Sequence, residues 1–144
     1  MKSNKIIKDV EEAAKRVYSE LGAGHEEAIY RDAMSVELQD RGYIVKTEMP
    51  VEIKYKTSQG KEIIIGSGRV DLYIEKDGKK AILEFKAVGP LKKAKKEEEK
   101  ETKEEVQLKK YLKSLGAETG ILINFCFPPK DEPEIIVSDP SEKN

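Results

Sequence analysis

The dipeptide Asp77-Gly78 constrains this chain more than any other feature, because it separates two strand-like runs, "RVDLYIEK" and "KKAILEFKAV". A two-residue type I′ hairpin turn needs positive φ at both central positions, and Asp-Gly accepts this readily. With these two residues as the loop, Lys76 faces Lys79, Ile74 faces Ala81, Leu72 faces Leu83 and Asp71 faces Glu84. Arg69 then falls opposite Lys86. Strand alternation puts Val70, Leu72, Ile74, Ala81, Leu83 and Phe85 on one apolar face, and Arg69, Asp71, Tyr73, Ile82, Glu84, Lys86 and Val88 on the other. Glu84 and Lys86 share a face whatever the loop length, because they are two residues apart.

Carboxylates directly opposite one another have Cβ atoms about 4.5–5.5 Å apart and repel unless positive charge intervenes. A divalent cation is one solution, and oxygen-only ligands favour Mg²⁺ or Mn²⁺. Neutralisation by Arg69 and Lys86 on an open sheet face is another, and the hairpin alone does not choose between them.

Upstream, Ile6, Val10, Ala13, Ala14, Val17 and Leu21 have helical spacing before Gly22 and Gly24. A second helix is expected from about Glu26 to Arg41, with Tyr30, Met34 and Leu38 as its apolar stripe. Glu27 stands at the start of that stripe, where it serves either the helix dipole or a site on the core side. Val45, Thr47, Met49, Val51, Ile53 and Tyr55 alternate with mostly charged residues, as on a half-buried strand. Downstream, a charged run leads into a helix with Leu108, Leu112 and Leu115 on one side and Gln107 and Tyr111 beside them. "GILINF" suits a strand covered on both faces, and "PEIIVSD" an edge strand.

At 144 residues a single domain spanning 1–144 is expected, with a core over about 5–127, a charged helical extension over about 92–105 and a tail over about 138–144. The 27 Lys+Arg against 28 Asp+Glu exclude a globally basic surface, so any nucleic-acid binding needs a local basic groove. Cys126 is alone, which excludes an intrachain disulfide and a cysteine zinc site and points to a cytoplasmic setting. No apolar signal core opens the chain, and "ILINFCF" is too short to span a bilayer. His25 is the one histidine, and "GSGRVD" leads into a strand where a phosphate loop would need a helix.

The segments "GHEEAIY", "RVDLYIE", "ILEFKAV", "QLKKYL" and "GILINF", in this order, resemble the GxxExxY family of the PD-(D/E)XK nuclease superfamily over roughly residues 5 to 127. The resemblance implies an α/β, restriction-endonuclease-like αβββαβ core with a mixed central sheet flanked by helices. It implies Mg²⁺, with Mn²⁺ as a substitute, held by Asp71 and Glu84 with support from Glu27. Lys86 is implied to orient or activate the attacking water, Gln107 to complete the pocket, and Tyr111 to complete a QxxxY pattern. Tyr111 and Arg69 are the candidates for substrate contact. Val70 stands where the superfamily name has proline, and the run between Lys86 and Gln107 is longer than the family pattern. The activity implied is metal-dependent hydrolysis of phosphodiester bonds, with DNA as partner. A catalytically weak or inactive nucleic-acid-binding module on the same fold is the alternative, as is a scaffold with a structural ion-pair cluster. The sequence leaves a homodimer open.

Overall fold

The computed structural model describes residues 4–91, 103–128 and 131–138. Its elements are α1 (Asn4–Leu21), α2 (Glu27–Asp40), β1 (Ile44–Lys56), β2 (Glu62–Lys76), β3 (Lys79–Lys86), α3 (Lys103–Leu115), β4 (Thr119–Asn124) and β5 (Glu134–Ser138). Residues 92–102 of the extension expected over about 92–105, and residues 139–144 of the expected tail, lie outside the described residues.

The strands form one sheet in the order β1-β2-β3-β4-β5. Neighbours run antiparallel except β3 and β4, which are parallel. A parallel pair needs a crossover, and α3 lies in the segment that joins β3 to β4. The result is the mixed α/β sheet flanked by helices that the resemblance implies, a restriction-endonuclease-like core.

Two apolar cores lie on the two faces of this sheet. On one, Ile6, Val10, Ala13, Ala14 and Val17 of α1 and Tyr30, Met34 and Leu38 of α2 pack with Leu72, Ile74, Leu83 and Phe85. On the other, Leu108, Tyr111 and Leu112 of α3 pack with Tyr73, Ile82 and Leu122. Each fully buried large aliphatic or aromatic side chain stabilises the fold by about 1.5–3 kcal/mol. The face that looks mixed in the sequence is therefore covered by α3. β4, buried at every residue, is covered on both faces. Among the described residues no helix is long and apolar enough to cross a membrane.

The hairpin register follows the turn: Lys76 pairs with Lys79, Ile74 with Ala81 and Leu72 with Leu83. Asp77 and Gly78 have φ of 53° and 80°, the positive values that a type I′ turn requires. Strict alternation, however, fails at Val70. It packs with Tyr73 and Ile82 on the α3 side, not with Leu72 and Ile74. β1 makes the same change, since Val45 packs on the α1/α2 side but Met49 and Val51 pack on the α3 side. Between them Glu48 has φ of 51°, and the β1–β2 pairing passes from Thr47↔Leu72 to Met49↔Val70 without a Glu48↔Asp71 pair. A left-handed residue interrupts the pleat and turns the following side chains to the other face. Arg31 and Arg69 hold the Glu48 carboxylate at 3.1 and 3.6 Å.

Candidate metal and nucleic-acid site

The β2–β3 ladder ends at Leu72↔Leu83, whereas β3 continues to pair with β4 as far as Lys86↔Asn124. Where β3 leaves β2, backbone N–H groups lose their strand partners and need others. The side chains of Asp71 and Glu84 supply them. The Asp71 N–H donates to Glu84 Oε2 at 3.2 Å, and the Phe85 N–H donates to Asp71 Oδ2 at 2.8 Å. In place of the expected Asp71↔Glu84 ladder pair stand reciprocal side-chain-to-backbone bonds in the fork between the strands. Arg69 does not stand opposite Lys86. It pairs in register with Pro50, and its side chain reaches Glu48.

Burial in the fork, followed by the negative charge of Asp71 beside it, pushes the Glu84 carboxyl up from 4.5 to about 8. The Asp71 N–H that Glu84 accepts, and then the charge of Lys86, oppose this rise. Near neutral pH, without a cation, Glu84 therefore tends to keep its proton.

Lys86 is engaged elsewhere as well. Its Nζ lies 3.4 Å from Glu104 Oε2 in the first turn of α3. A hydrogen bond from the backbone at the helix start, and then Lys86, holds the Glu104 carboxyl below its ordinary value. Glu104 is a site neighbour that the sequence did not single out, since nothing distinguishes it from the other acids of the charged run.

Glu27 is exposed on the first turn of α2. Among the described residues no three His, Cys, Asp or Glu side chains form a group that could hold a metal ion. The other motif positions around Glu27 are structural. Gly24 has φ of 98°, and the Tyr30 hydroxyl donates to Gly22 O at 2.6 Å. The Tyr30 ring stacks on Phe125 with centroids 4.2 Å apart.

The donor set nonetheless fits a hard cation in part. Mg²⁺ is commonly held by one or two carboxylates, several waters and phosphate oxygens. Asp71 and Glu84 are carboxylates of that kind, once Glu84 has lost its proton.

On α3, Gln107 is exposed and Tyr111 is buried. A Cβ added at Gly68 would lie 2.2 Å from the Tyr111 hydroxyl oxygen, so the glycine makes room for Tyr111 against β2. Both α3 residues border a groove of about 1250 Å³ between α3 and the far half of the β1–β2 arm.

A family model, that of the PD-(D/E)XK nuclease superfamily, matches residues 4–136, nearly the whole chain. This chain belongs to the PD-(D/E)XK nuclease superfamily. Among solved structures, this superfamily member is similar to the crystal structure of SSO0001, with a TM-score of 0.54 and 22% identity. The likeness covers 81% of this chain and 52% of that one, so this chain spans about half of its length, and at this identity it speaks for the fold alone. No curated protein matches the sequence.

One further residue of this superfamily member supports the fork. Asn124, paired with Lys86 across β3 and β4, accepts the Val88 N–H at 3.0 Å and donates to Gly89 O at 3.0 Å and to Glu134 Oε1 at 2.9 Å. The chain leaving Lys86 is clamped there. The signal was present in the sequence, as an amide inside the otherwise apolar "GILINF".

Proposed function

We propose that this PD-(D/E)XK superfamily member binds nucleic acid, DNA in the first instance, and that in the arrangement described its acid pair supports weak hydrolysis or none. One observation carries the second half: Asp71 and Glu84 each accept a backbone N–H of the other's strand, and burial raises the Glu84 carboxyl to about 8. A site so closed offers little to a metal ion until the proton leaves, and the tie of Lys86 to Glu104 diverts the ammonium from the fork. The first half rests on membership of the superfamily.

The second reading is a Mg²⁺-dependent nuclease, favoured by the charge of Lys86 acting on Glu84 two residues away. Here Asp71 and Glu84, with Glu27 drawn in, would hold the cation, which supplies a water of lowered pKa and charge neutralisation when bound. Lys86 would stabilise charge building on the phosphate oxygens, with Gln107, Tyr111 and Arg69 contacting substrate. The GxxExxY pattern of Gly24, Glu27 and Tyr30 belongs with this reading.

The readings separate in one assay. Binding and cleavage of linear, nicked, single-stranded and branched DNA are followed with Mg²⁺ and with Mn²⁺, using Asp71→Ala as control. Binding without metal-dependent product supports the first reading. Product that disappears in Asp71→Ala supports the second, and absence of both supports a scaffold.

A further inference from the structure

The groove beside α3 combines two properties that a sheet–helix junction does not need for its own stability. Its walls carry exposed apolar groups, Ile53 at 42% and Val106 at 41% exposure, and Tyr55, 57% exposed, lies two residues further along β1, past the register shift between Ile53 and Lys54 and outside the groove's lining. Its rim carries Lys54, Lys103, Lys110 and Lys113 against only Glu52 and Glu62. Lys54, Lys110 and Lys113 make no ion pair with another described residue.

We propose that this groove is a track for single-stranded polynucleotide, an inference that rests on the nucleic-acid reading above and names where and in what form the strand binds. The lysine excess calls for a polyanion. A duplex keeps its bases stacked inside and presents mainly phosphates, so it would leave Ile53, Val106 and Tyr55 in water. A single strand offers phosphates to the lysines and unstacked base faces to the apolar wall and the tyrosine ring. An acidic protein segment would satisfy the rim but gain nothing from the projecting ring that a base would not gain more fully. At its Lys103 end the groove lies one residue along α3 from Glu104, the partner of Lys86.

The test measures binding of labelled oligo-dT, oligo-rU and a duplex of equal length by fluorescence anisotropy, in EDTA and at fixed salt. The proteins are the wild type, Lys110→Glu/Lys113→Glu and Tyr55→Ala, each checked for an unchanged melting profile. The wild type should bind a single strand more tightly than the duplex, and the two single strands show whether the track selects a sugar. The double variant should weaken single-strand binding by about tenfold or more and lower the salt slope by roughly 1.4, as for two lost phosphate contacts. Tyr55→Ala should weaken it by about fivefold or more, the lower end for one stacked base. Single-strand binding left intact by both variants would overturn the groove assignment while leaving the proposed function standing. No binding of any polynucleotide by the wild type would overturn both, and a preference for duplex would overturn the single-strand assignment. Variants that dissociate an oligomer in sedimentation but bind DNA normally would also overturn it, marking the face as a contact between copies.

Discussion

Glu84 Oε2 accepts the backbone N–H of Asp71 at 3.2 Å, while Asp71 Oδ2 accepts the N–H of Phe85, the residue after Glu84, at 2.8 Å. Each carboxyl group of the fork therefore closes the strand that carries the other. The arrangement joins fold to chemistry: the same groups that close the end of the β2–β3 ladder are the candidate metal ligands.

Stability should depend on pH through Glu84. Its folded value of about 8 lies above the ordinary 4.5, so between those values the folded state keeps a proton that the unfolded chain has lost. Unfolding then releases protons, and metal-free stability falls as pH rises through this window, by at most about 1.4 kcal/mol per pH unit. Below the window both states are protonated and the effect vanishes. Glu84→Gln should flatten the decline of melting temperature between pH 5 and 8, and an equally steep decline in the variant would exclude Glu84 as its source.

Divalent cations and this proton compete for the same oxygens. Mg²⁺ or Mn²⁺ should raise the melting temperature, and more so at pH 8.5 than at pH 6, because less proton has to be displaced. The Asp71→Ala/Glu84→Ala variant should show neither the rise nor its pH dependence in calorimetry. Equal rises in variant and wild type would put the cation elsewhere.

Lys86 opposes the upward displacement of Glu84. Lys86→Met removes that positive neighbour, so Glu84 should titrate at still higher pH, measurable by carboxyl-carbon NMR. The lost contact with Glu104, a partly exposed pair, should cost no more than about 1 kcal/mol. A downward displacement of Glu84 would contradict the geometry of the fork.

Gly68 is required by Tyr111. Gly68→Ala places a methyl group 2.2 Å from the phenol oxygen and 3.0 Å from Cζ, so the ring or the strand has to move. Overpacking of this kind costs about 1–3 kcal/mol. Adding Tyr111→Phe removes the nearer clash and should recover part of the loss in denaturant unfolding. Additive losses would show that the two side chains do not meet.

Much of this arrangement was legible in the residues. Asp77-Gly78 sets the register because both backbone conformations at the turn are restricted, and the helix stripes are local patterns of period 3.6. The end of the ladder and the change of face were not legible. Alternation assumes an unbroken pleat, while the interruption sits at Glu48, a residue type with no special preference for φ of 51°. It therefore misplaced Val70, while the hairpin register, carried past the end of the ladder at Leu72↔Leu83, set Arg69 opposite Lys86. The tie of Lys86 to Glu104 depends on where α3 begins after a long charged run, which composition does not fix. The outer half of β1 reads as half-buried, yet Ile53 and Tyr55 are exposed because the described chain supplies no cover for that face.

The most direct test of the account follows bound and cleaved fractions of one labelled DNA strand together, with Mg²⁺ and then Mn²⁺ at neutral pH, for wild type and Asp71→Ala. The closed acid pair predicts that both proteins bind the strand and that wild-type product stays within about tenfold of the variant's, well short of the roughly 10²–10⁴-fold contribution expected of an engaged catalytic group. Metal-dependent turnover by the wild type about 10²-fold or more above Asp71→Ala would contradict it, and would make the fork the centre of an active nuclease.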